Sequence, residues 1–164
     1  MNQLGVVLML WLLPLRFDPM SAAGIALIGG ADEKSEIALQ EITDSLRTRL
    51  EISQVVQVTL VDHNPLVMSV ETLGGRLGPF VITVDRDFIS DLGHDEIEAS
   101  IAHELGHVWI YTHHPYIQTE RLANEVAMRV IRRSAFEPVY EKVWRRTGIR
   151  GNLLEFIGPG DQQQ

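Results

Sequence analysis

The sequence predicts an α+β domain, on three observations. A helix-periodic segment comes first, over residues 31–50. Three short runs rich in β-branched residues follow it. Two further segments with apolar residues at helical spacing come after those. Helices and strands segregated in this way imply a small mixed sheet of three to four strands, with helices packed on one of its faces.

Taken in order, Ile42, Leu46 and Leu50 form the apolar stripe of the first helix, which Asp32 or Ser35 can cap. Val55 to Val61 alternates and is rich in β-branched residues, so it reads as a strand. Asp62-His63-Asn64-Pro65 is a turn, which puts His63 on the surface. Leu66 to Thr72 reads as a second strand, Gly74-Gly75 as a hairpin-like turn, and Val81 to Val84 as a third strand. Asp95, Glu96 and Glu98 crowd the start of the next helix, where they suit the positive end of its dipole. Ile97, Ile101, Leu105 and Val108 form its apolar stripe. Leu122, Val126 and Val130 mark a further helix across Thr119 to Ile131, capped by Thr119. Val139 to Arg146 forms a last helix, with Pro138 before it and Gly148 after it.

The motif helix carries His103-Glu104-Leu105-Gly106-His107, an H-E-x-x-H sequence. Side chains four apart lie about 40° apart around a helix and one turn apart along it. Two imidazoles so placed can grip one metal ion. Zn²⁺ favours such a pair when a third protein ligand completes the set and a fourth position stays open for water. Glu104 is then placed to act as base on a metal-bound water. His103 and His107 fall opposite the apolar stripe, so one side of the helix packs and the other faces the metal. Gly106 costs about 1 kcal/mol relative to alanine inside a helix; close approach of a neighbouring backbone would account for it.

The following helix offers a third ligand. Glu120, Asn124 and Ala127 share a face, whereas Glu125 lies about 140° from Glu120 on the helical wheel. Glu125 suits a solvated pair with Arg129. Glu120 is therefore the favoured ligand, with Glu125, His113 and His114 as alternatives. Asn124, one turn on, can hold the far nitrogen of a metal-bound imidazole.

H-E-x-x-H followed by Glu-x-x-Ala-(Asp/Asn) resembles the gluzincin zinc metallopeptidases. Asp95-Glu96-Ile97 leading through Ala102 to Val108 is similar to the CAAX-prenyl-protease and heat-shock-peptidase family. Val67 to Gly75 followed by Phe80 to Phe88 matches loosely the strand–Gly-Gly–strand stretch of that family. Glu120-Arg121-Leu122-Ala123-Asn124 looks more like the ImmA/IrrE family. The likeness covers about residues 55 to 140, and the two motifs are its specific parts. His107 and Glu120 are only 13 residues apart, and no multi-helix membrane bundle is present, so the architecture looks like a minimal soluble gluzincin, a minigluzincin.

The resemblance implies a zincin-like domain that hydrolyses peptide bonds, with His103, His107 and Glu120 on zinc and Glu104 as general base. It also implies a peptide or protein substrate lying extended along an edge strand, with Leu66 to Thr72 as the candidate. Tyr111, His113, His114, Tyr116 and Tyr140 are the candidate donors to an oxyanion. The alternative is a non-catalytic zinc-stabilised binding or regulatory module on the same scaffold.

At 164 residues the chain fits one domain of about residues 31–157. A net charge of −8 without a basic, aromatic-laced cluster excludes a nucleic-acid surface. The absence of cysteine excludes disulfides and thiolate zinc sites. Leu4 to Leu13 and Ala22 to Ile28 make residues 1–30 an apolar segment, a signal peptide or membrane anchor. Export or membrane anchoring is expected on that basis. A cytoplasmic protein starting at Met20 is the alternative. The arginines from Arg132 to Arg150 form a solvated basic face, and residues 158–164 form a disordered tail.

Overall fold

The computed structural model describes residues 29–114 and 117–159, with side chains from Glu36 onward. The expectations for residues 1–28, for Tyr116 and for residues 160–164 lie outside what is described, whereas the first helix already begins at Gly29, so Asp32 and Ser35 fall inside it and neither is its cap.

Helix α1 (Gly29–Arg49) leads into strand β1 (Val56–Val61). Strands β2 (Met68–Thr72) and β3 (Phe80–Asp85) follow, joined by a 3₁₀ turn at Gly75–Leu77. The chain continues as α2 (Arg86–Ser90), α3 (His94–His113), α4 (Glu120–Ala127), α5 (Phe136–Thr147) and α6 (Leu153–Ile157). This is an α+β arrangement with a three-stranded mixed sheet in the order β1-β3-β2. β1 runs parallel to β3, and β2 runs antiparallel to it.

Register explains the one-sided packing. Val58, Ile82 and Val70 stand side by side across the sheet, as do Leu60, Val84 and Met68. All six are buried, while Gln57, Thr59 and Glu71 between them are exposed. With a side-chain period of two, one face is therefore core and the other faces outward. The outer edge of β1 is covered by α1. Gln40 bonds to the Val56 carbonyl and the Val58 amide, both at 2.9 Å, and Glu36 accepts from the Leu60 amide at 2.7 Å. β2 is thus an edge strand, paired only with β3 among the described strands, in agreement with the strand singled out from sequence.

α3 is buried far beyond one stripe. Ala99, Ile101, Ala102, Leu105, Val108 and Ile110 are all inaccessible to solvent. The two-sided helix expected from the sequence is instead a central one, wrapped by α1, the sheet, α4 and α5. Gly106 meets the anticipated close approach: a Cβ there would collide with the Ala123 carbonyl oxygen of α4 and stand 2.9 Å from its Cα. α3 and α4 therefore pack backbone to backbone.

Other expectations are corrected. The second strand starts at Met68 rather than Leu66. The Asn64 side chain accepts from the Leu66 amide at 2.9 Å, and Val67 takes a left-handed φ of 61°, so the turn uses up these residues. α4 ends at Ala127, not Ile131, and Val130 closes a turn on the Ala127 carbonyl. Glu125 pairs with Arg121 at 2.9 Å, and Arg129 instead lies 4.6 Å above the Trp109 ring. α5 begins at Phe136, with Pro138 in its first turn, where the missing N–H costs nothing. α6 has no counterpart in the sequence reading, and Gly158 at its end is ordered by Arg133, which reaches its carbonyl at 2.7 Å. The basic face is partly turned inward: Arg146 bonds the fully buried Asp85 at 2.6 Å. No described helix is long and apolar enough to cross a membrane.

Candidate metal centre

The predicted residues converge. His103 Nε2 lies 3.2 Å from Glu120 Oε2, His107 Nε2 lies 3.5 Å from Glu120 Oε1, and the two Nε2 atoms are 3.2 Å apart. A tetrahedral ion with bonds of about 2.0–2.1 Å separates its donors by about 3.3 Å. The three separations bracket that value, so this His-His-Glu group could hold a metal ion. Glu125, His113 and His114 are not part of the group. Glu125 is paired with Arg121, His113 stacks on Trp109 with ring centroids 4.3 Å apart, and His114 is exposed.

The surrounding hydrogen bonds decide which nitrogens face the cluster. His103 Nδ1 is 2.9 Å from Asn124 Oδ1. Asn124 Nδ2 contacts the Phe156 carbonyl at 3.0 Å and the Tyr140 hydroxyl at 2.5 Å. A backbone carbonyl only accepts, so the NH₂ of Asn124 must point at Phe156 and its oxygen at His103. Nδ1 of His103 then carries the proton, and Nε2 presents a lone pair to the cluster. The same logic applies to His107. Gln118 Nε2 donates to the His107 carbonyl at 3.3 Å, which aims Gln118 Oε1 at His107 Nδ1, 3.1 Å away. Two lone pairs and a carboxylate facing one another at about 3.2–3.5 Å repel unless a cation lies among them. This donor set fits a metal, and its imidazoles suit Zn, Cu, Fe or Ni rather than Mg or Ca.

Asn124 was legible in the sequence as the imidazole's support. Gln118 was not, because it reaches His107 only when the loop after α3 folds back. Thr119 caps α4 through its hydroxyl, which accepts from the Leu122 amide at 3.1 Å, and this sets Glu120 in the first turn.

The electrostatics match the geometry. Burial disfavours the charged form of His103, but its hydrogen bond and charge interaction with Glu120, with help from Glu104, push its pKa up to about 9. Burial also opposes ionisation of Glu120, yet the two imidazoles outweigh it and hold this carboxyl well below the usual range. In the absence of metal, a proton on His103 thus supplies the missing cation. Glu104 is only 7% exposed. Burial raises its pKa, the two imidazoles oppose that, and Glu120 adds to it. Among the described residues no hydrogen bond holds its carboxylate, which leaves it free to take a proton. Of the five oxyanion candidates, Tyr140 reaches the cluster, but its hydroxyl is engaged with Asn124 behind His103. Tyr111 packs edge-on against Phe80, with ring centroids 5.9 Å apart.

Compared with known protein families, curated proteins and solved structures, the chain matches none. The functional reading therefore rests on the chemistry of these side chains.

Proposed function

We propose that this protein is a zinc-dependent peptidase of the zincin type. The reading rests on one observation: two Nε2 lone pairs and the Glu120 carboxylate converge at tetrahedral spacing, with the buried Glu104 beside them. His103, His107 and Glu120 would hold the ion. When bound, zinc acidifies a water and polarises a scissile carbonyl. Glu104 takes the water's proton on its carboxylate and passes it to the leaving amine, a task that its raised pKa suits. Asn124 and Gln118 keep the imidazoles in the metal-binding tautomer. As an edge strand, β2 offers backbone groups to an extended peptide, which makes a peptide or protein the substrate class.

Elemental analysis and hydrolysis of a peptide library test this together. The wild type is expected to hold about one zinc per chain and to cleave peptides. Glu120→Ala is expected to lose the metal. Glu104→Gln is expected to keep it while turnover falls by about 10²-fold or more. Zinc with no hydrolysis in the wild type would turn the assignment to a non-catalytic module, and no zinc would end it.

A further inference from the structure

We infer that the C-terminal helix α6 is a working part of the metal centre: by holding the Asn124 amide in one orientation, it sets the tautomer of His103 and ties zinc affinity to its own docking. The inference rests on the zinc reading above and adds a positioning element to it.

Asn124 is fully buried and has two orientations to choose from. In one, Oδ1 accepts from His103 Nδ1, leaving Nε2 as a ligand. In the other, the NH₂ donates to Nδ1 and the proton of His103 moves to Nε2, which blocks the metal. Tyr140 cannot discriminate, because a hydroxyl donates or accepts with equal ease. The Phe156 carbonyl can. It lies 3.0 Å from Asn124 Nδ2, and the flipped amide would set oxygen against oxygen there. A carbonyl of α6 therefore holds His103 in its metal-binding form from one residue further out.

The same contacts explain asparagine at this position. Aspartate could accept from His103 but could not donate to Phe156. The helix is also seated by contacts that do not involve Asn124. Phe156 stacks on Tyr140 with centroids 5.2 Å apart, and Arg133 donates to the Ile157 and Gly158 carbonyls at 3.3 and 2.7 Å. Whatever loosens that seat frees the amide. Because linkage is reciprocal, zinc must in turn favour the docked helix by the same factor by which docking favours zinc.

The test uses the full-length chain with zinc as probe. Arg133→Ala loosens α6 without touching the cluster. It is expected to weaken zinc binding, read by chelator competition, by about tenfold. In an Asn124→Asp background, where no flip is possible, the same Arg133→Ala change is expected to leave zinc affinity unaltered. Hydrogen exchange of the wild type is expected to slow at the amides of residues 154–158 when zinc is added, and it is the deciding measurement if Asn124→Asp does not fold. Equal losses from Arg133→Ala in both backgrounds, or exchange at α6 indifferent to zinc, would overturn the inference while leaving the zinc site standing. A wild-type chain that takes up no zinc overturns both.

Discussion

Two backbone carbonyls, those of His107 and Phe156, decide how the two imidazoles are protonated, and the consequence can be measured at the level of single residues. Without metal, His103 is raised to about 9, so its protonated form is favoured by the fold. That contribution is complete below the ordinary histidine pKa of about 6.5 and is lost as pH rises through about 9. The apo protein should therefore lose stability between those limits, on the order of 3 kcal/mol at most. The metal-loaded protein should behave oppositely over the same window. Zinc must displace the His103 proton, so its affinity should climb by about tenfold per pH unit and level off near the folded pKa. Denaturant melts of apo protein across this range, beside chelator competition at each pH, check both slopes. A zinc affinity that is flat with pH would mean that His103 is not a ligand.

At the scale of elements, the site depends on how closely α3 and α4 approach. Gly106→Ala would drive a methyl into the Ala123 carbonyl, so α4 must shift and carry Glu120 and Asn124 with it. A loss of about 1–3 kcal/mol is expected in denaturant unfolding, together with weaker zinc binding; an alanine variant matching the wild type in both would show that the helices have room to spare. α5 is held from the far side by Asp85, whose carboxylate accepts from the Asn64 amide at 3.1 Å, the Phe88 amide at 2.9 Å and Arg146 at 2.6 Å. Burial alone would raise the Asp85 pKa, but these bonds and the guanidinium charge bring it below the usual value. Its stabilising effect is thus present above pH 4 or so and disappears as pH falls through the folded pKa. Asp85→Asn should cost about 2 kcal/mol at neutral pH and flatten the acid limb of the stability profile; an unchanged acid limb would assign acid unfolding to other carboxylates. The H-E-x-x-H helix, Glu120 and Asn124 were legible because helical spacing alone sets which residues share a face. Asp85, Arg146, Gln118 and α6 were not, because their partners lie 11 to 61 residues away in sequence and no periodicity encodes such pairs.

At the scale of the molecule, the strands were legible from β-branched alternation, but the parallel β1–β3 pairing was not, since alternation shows which face is buried and not which strand is the neighbour. The three candidate donors likewise belong to separate segments, α3 and α4, that only the fold brings together, with α6 and the Gln118 loop behind them. An unfolded chain offers no preformed site, so metal affinity becomes folding free energy. Zinc at about 100 times its dissociation constant should add about 2.7 kcal/mol, which for a domain of this size raises the melting temperature by about 5–11 °C. Calorimetry of the wild type and Glu120→Ala, with and without zinc, reads this directly. The wild type should gain and the variant should not, since removing Glu120 leaves only the two imidazoles of α3 and no bridge to α4. An equal gain in both proteins would place the stabilising ion somewhere other than between these helices.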